Sequence, residues 1–220
     1  VNTAVTNTKD IIIYRKEEVF KSVFHELIHF HNLDFRTISP SHILTDIINY
    51  LITTHNINSN NEYLLYECIT ETLANILNNI YYSGDIKEME VNLVKEIMFS
   101  TLQVSKILHL SHHKQWYEFS YNTKTTNTHT TKHKPIKFTQ TSCVFSYYIL
   151  KLYMLLNISS YFKTILDSKL KFIETEKTFT NLIKLIDNSR TNVVLKDMIN
   201  GILKGLQLNK AKHYDTNTKK

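Results

Sequence analysis

Apolar positions in "VFKSVFHELIHFHNLDF" recur at helical spacing, yet His25, Glu26, His29 and His31 are set among them. A helix is predicted over 16–33, with Glu17 and Glu18 in the opening turn, where the helix dipole favours carboxylates. Before it, the β-branched run "DIIIYR" (10–15) is the only convincing strand. It is expected to end a sheet whose other members lie upstream, since the chain opens at Val1 rather than Met. In "TISPSHILTDIINYLITTH", Ser39 reads as N-cap and Pro40 as first helical residue, with Ile43, Leu44, Ile47, Ile48 and Leu51 on one face. "NEYLLYECITETLANILNNIYY" is a third helix, capped near Asn60 or Asn61 and ended by "SGD", where Gly84 suits a left-handed turn.

A fourth amphipathic helix covers 86–108. The polar, low-complexity stretch 122–140 reads as an exposed loop. Helices return near 141–156, 159–170, 176–187 and 191–207, and the end of the chain reads as a flexible tail. The fold class is mainly α, or α+β with a minimal or truncated sheet. Three parts are expected: a subdomain over 1–84 that holds the histidine-bearing helix, a helical lobe over 85–210 with the exposed loop 122–140, and a tail over 211–220.

Bulk properties narrow the function. A chain of 220 residues buries a core without metal or disulfide staples, so a bound metal would be functional. Cys68 and Cys143 have no CxxC spacing, which excludes a disulfide framework or zinc ribbon and suits reduced thiols in an intracellular compartment. No apolar run reaches a membrane span. The net charge of +6 is spread along the chain, and tyrosines recur with Leu and Ile at helix spacing, so no nucleic-acid partner is expected. Scarce Gly and Pro with abundant Asn, Ile, Lys and Tyr indicate an AT-rich coding genome, such as that of a large DNA virus or an AT-rich microbe.

On a helix, His25 and His29 project from one face, a spacing at which two imidazoles hold one Zn²⁺. Glu26 follows the first histidine. It is placed to take a proton from an activated water as general base and to return it to a leaving amine. "HELIH" with its apolar flanks resembles the HExxH motif of zincin metallopeptidases. Asn32 and Phe35 depart from the metzincin continuation, so the resemblance is to the gluzincins, and it covers roughly residues 10–80.

That resemblance implies a zinc metallopeptidase acting on a peptide or protein substrate. Its third metal ligand is a Glu from a later helix: Glu71 in "ETLAN", with Glu67 as fallback. It further implies Asn75 as a second group hydrogen-bonded to a ligating imidazole. An oxyanion donor is expected among His109, His112, His113, Tyr117 and Tyr121, or at Tyr147 or Tyr148. His31 points away from His29, and Asp34 either orients an imidazole or serves the turn. The alternative is a non-enzymatic structural or interaction protein that keeps the zincin helix pair as a scaffold.

Overall fold

The computed structural model describes residues 4–6, 10–13, 18–34, 41–58, 63–120, 137–140, 142–169, 171–172 and 176–217. The fold is mainly α. Strand β2 (Ile11–Ile13) pairs antiparallel with β1 (Ala4–Thr6), Val5 opposite Ile12. The expected strand therefore finds a partner within the chain, Val5 lying seven residues before Ile12.

Helix α1 (Val19–Phe30) ends in a left-handed residue, Asn32, at φ 52°. Leu33 N–H donates to the Ile28 carbonyl at 3.0 Å and Asn32 N–H to that of His29 at 3.1 Å. This paired closure reverses the chain sharply and brings Asp34 back against the last turn of α1. Helix α2 (Ser41–Thr54) follows; Ser39 and Pro40 lie outside the described residues.

Helix α3 (Leu65–Tyr82) is the centre of the molecule, buried without interruption from Cys68 to Ile76. It packs on α1, on α4 (Ile86–Leu110) and on the later helix α6 (Lys151–Leu156). Its first residues are Leu65 and Tyr66, with Leu64 at the cap and no side-chain cap bond; Asn60 and Asn61 lie outside the described residues. Gly84 does not adopt the expected left-handed conformation, since no described glycine has positive φ. Helix α3 ends at Ser83, whose N–H donates to the Ile80 carbonyl, and α4 is capped at once by Asp85: Glu88 N–H donates to Asp85 Oδ1, and Gly84 N–H to Glu88 Oε2, both at 2.8 Å.

Helix α5 (Trp116–Phe119) is short. A π-helical turn, Phe145–Leu150, runs straight into α6, and both are deeply buried. Helices α7 (Ile158–Ile165), α8 (Glu176–Arg190) and α9 (Val193–Asn217) complete the chain. Two expectations change here. Phe138, assigned to an exposed loop, is fully buried and bridges to Ile57, because the loop end is pulled into an aromatic cluster with Phe119 and Phe145. The expected tail continues as helix to Asn217. One hydrophobic core runs across residue 84, from Ile28 and Ile69 to Tyr153 and Leu203. No helix among the described residues is long and apolar enough to cross a membrane.

Within this core His55 and Tyr153 are both fully buried, and His55 Nε2 shares a 3.0 Å hydrogen bond with the Tyr153 hydroxyl. Burial pushes the imidazole down to about 3, so it is neutral. Tyr153→Phe leaves that nitrogen without its partner and is expected to cost about 1–3 kcal/mol, read as a lower urea midpoint.

Candidate metal centre

Helix α1 lays His25 and His29 against the first turn of α3. Their Nε2 atoms are 3.1 Å apart, with the rings nearly perpendicular at 80°. Glu67, in that first turn, brings Oε2 to 3.5 Å from the Nε2 of His25 and 3.6 Å from that of His29. Two imidazole nitrogens and a carboxylate oxygen are the donor set zinc takes in hydrolytic sites. A tetrahedral ion with bonds of about 2.0–2.1 Å separates its ligands by about 3.3–3.4 Å. The observed separations straddle that value, so the donors fit one such ion.

Each histidine is braced at its other nitrogen. His29 Nδ1 lies 2.5 Å from Asp34 Oδ2, and Asp34 is fully buried. His25 Nδ1 lies 3.3 Å from Glu71 Oε2. A carboxylate at Nδ1 keeps a proton on that nitrogen and leaves the Nε2 lone pair for a metal. Glu71 therefore stands behind His25 rather than beside the gap between the Nε2 atoms. Its Oε1 is ion-paired with Lys21, accepts from Asn75 Nδ2 at 3.2 Å and faces Lys151 Nζ at 3.9 Å.

The sequence expectation for α3 thus shifts by one turn. Glu67 is the carboxylate that joins the two histidines, and Glu71 supports one of them. Asn75 anchors Glu71, not an imidazole. The reason is register: residues 67 and 71 share a helix face, and only the axial offset of α3 against α1 decides which carboxylate meets the Nε2 atoms.

Tyr147 donates its hydroxyl to Glu67 Oε2 at 2.8 Å, and its ring lies 6.3 Å from that of His25. It is carried by the π-helical turn, whose wider winding turns side chains off the α-helical pattern. The other expected donors are elsewhere. His109 and His112 sit at the end of α4, His112 exposed and at φ 65°. His113 is buried edge-on against Phe119, Tyr117 is exposed, and Tyr148 lies under Lys151. Tyr121 lies outside the described residues. Glu26 is buried at 6% exposure and its carboxylate has no hydrogen-bond or ion-pair partner among the described residues. Its carboxylate oxygens keep some contact with solvent, as a group that meets an attacking water must.

Lys21 and Lys151 went unassigned in the sequence. Lys151 had a signal, being the one charge in "CVFSYYILKLYMLLN". It is 3% exposed and donates to Glu96 at 2.9 Å. Asn75 also lines a polar cleft of about 380 Å³ between α3 and α4, shared with Asn78, Asn79, Asn92 and Glu96 and rimmed by Tyr82.

The charges are strongly coupled. Burial disfavours a charged His25, but Glu67 and Glu71 outweigh it and raise its pKa to about 9. Burial likewise opposes ionisation of Glu71, yet His25, Lys21 and Lys151 hold it down to about 2. His29 is raised, with Asp34 and Glu67 overcoming burial, and Glu67 is held well below the usual carboxylate range by His25, His29 and Tyr147. Burial and the Glu67 charge push Tyr147 well above the ordinary tyrosine value.

A pH profile follows for metal-free protein. The raised histidine stabilises fully below its unfolded value of 6.5, and this is lost as pH rises towards 9. The depressed carboxylate stabilises fully above 4.5, and this is lost as pH falls towards 2. Thermal midpoints in chelator are expected to peak between pH 4.5 and 6.5. Zinc should remove the alkaline decline, because it takes the place of the His25 proton.

No family model, curated protein or solved structure matches the chain.

Proposed function

We propose that the chain is a zinc-dependent peptidase in which His25, His29 and Glu67 hold the ion and Glu26 carries the proton. The observation that supports this reading is the convergence of three donor atoms at 3.1, 3.5 and 3.6 Å, each imidazole braced at Nδ1 by a separate carboxylate. When bound, zinc supplies Lewis-acid polarisation of the scissile carbonyl and acidifies water. Glu26 accepts the proton of the attacking water and returns it to the leaving amine. Asp34 and Glu71 hold the imidazoles in the ligating tautomer, and Lys21 and Lys151 keep Glu71 ionised for that task. Tyr147 donates its one hydroxyl proton to Glu67 Oε2 and would serve the oxyanion that develops on the substrate carbonyl by turning that proton from Glu67 to the substrate. Cys68 and Cys143 are not joined in a disulfide, which suits an intracellular setting.

A specific feature favours a second reading, that of a non-catalytic scaffold. The two histidines and their carboxylates neutralise one another without an ion. Elemental analysis of purified protein, with cleavage of a quenched fluorescent peptide library, separates the two. The peptidase is expected to hold about one zinc per chain and to lose cleavage in chelator. A chain that takes up no zinc, or that holds zinc and cleaves nothing, supports the scaffold.

A further inference from the structure

Glycine is rare in this chain, with three among 220 residues. Two of the three, Gly201 and Gly205, stand one turn apart inside α9. Glycine weakens a helix interior relative to alanine, so its presence calls for a use. Among the described residues the fold of one chain supplies none. Neither glycine has positive φ, and a Cβ added at either would meet nothing within 4 Å.

Both lie on the solvent side of α9, opposite the buried Leu195, Ile199 and Leu203. On that side Val194, Met198, Gly201, Gly205 and Leu208 recur at alternating steps of four and three, the spacing of a helix-pairing seam. Val194 and Leu208 are 68% and 56% exposed and Met198 is 40% exposed, so the seam is ridged at its ends and hollow at its glycines. Asp197 and Lys204 flank it on the same side. Both are exposed, and neither forms an ion pair among the described residues.

We propose that this face docks against α9 of a second copy of the chain, antiparallel, about a two-fold axis near Gly201. One register satisfies size and charge together. It sets Met198 over Gly205 of the second copy, Val194 beside Leu208, and Asp197 beside Lys204, each contact occurring twice as a two-fold requires. The glycines let the helix backbones approach more closely than bulkier residues permit, and the Met198 thioether fills the hollow. A parallel pairing would instead put Asp197 and Lys204 across the seam from those of the second copy, with no charge opposite either.

The test is sedimentation velocity of the full chain across low to high micromolar concentration, with and without zinc. Wild type is expected to show a monomer–dimer equilibrium that does not depend on zinc, so the result stands apart from the peptidase reading. Gly201→Leu with Gly205→Leu should abolish the dimer without lowering the thermal midpoint, since leucine is the better helix former. Asp197→Lys should weaken association by about tenfold or more by placing like charges opposite each other, and Asp197→Lys with Lys204→Asp should restore it. A wild type that stays monomeric throughout overturns the proposal. So does a dimer indifferent to the leucine pair, or one that the charge exchange fails to rescue.

Discussion

Glu26→Gln is expected to lower peptide turnover by about 10²–10⁴-fold while zinc content stays at the wild-type level. The amide matches the carboxylate in size and sits in the same buried position of α1, so the fold has no reason to change. What disappears is the ability to hold a proton between the attacking water and the leaving nitrogen. Because the Glu26 carboxylate has no hydrogen-bond or ion-pair partner among the described residues, removing its charge strips no partner. The thermal midpoint should therefore be no lower than that of wild type. Parallel measurement of zinc, turnover and midpoint makes the outcome decisive. Turnover that survives the substitution would remove Glu26 from the chemistry, and lost zinc would place it among the ligands instead.

The second large effect separates the two glutamates of α3. Glu67→Ala removes one of three donor atoms and is expected to abolish zinc retention through gel filtration, as should His25→Ala. Glu71→Gln leaves all three donors in place. It weakens the hold on His25 Nδ1, and loss of such a supporting partner typically costs about 10–100-fold in metal affinity. It also leaves Lys21 and Lys151 facing a neutral amide, so part of the loss should appear as a lower thermal midpoint without metal. Titration against a chromophoric zinc indicator reads both variants on one scale. If Glu71→Gln proved the more damaging for zinc while Glu67→Ala kept the ion, the assignment of ligand and support would be reversed.

Much of the helical architecture was legible along the chain. Periodicity marks α1, α3, α4, α8 and α9, because a helix face that packs on a core must repeat its apolar residues every three or four positions. The pairing of His25 with His29 on one face is of the same local kind, since one helical turn joins them. The Asn32 reversal and the Asp85 cap of α4 also rest on neighbours in sequence. Strand β1 was missed because three residues of mixed polarity hold no period.

The choice between Glu67 and Glu71 was of a different kind. Both lie on the α3 face that meets α1, and no local pattern reports how far one helix slides along another. Packing of buried side chains along α3 fixes that offset, and a shift of one turn exchanges ligand for support. Tyr147 reaches Glu67 across 80 positions of chain, and Asp34 meets His29 only because the chain doubles back after α1. Local periodicity thus determined which residues share a face, while their convergence on one point was decided by long-range packing, which no stretch of sequence encodes alone.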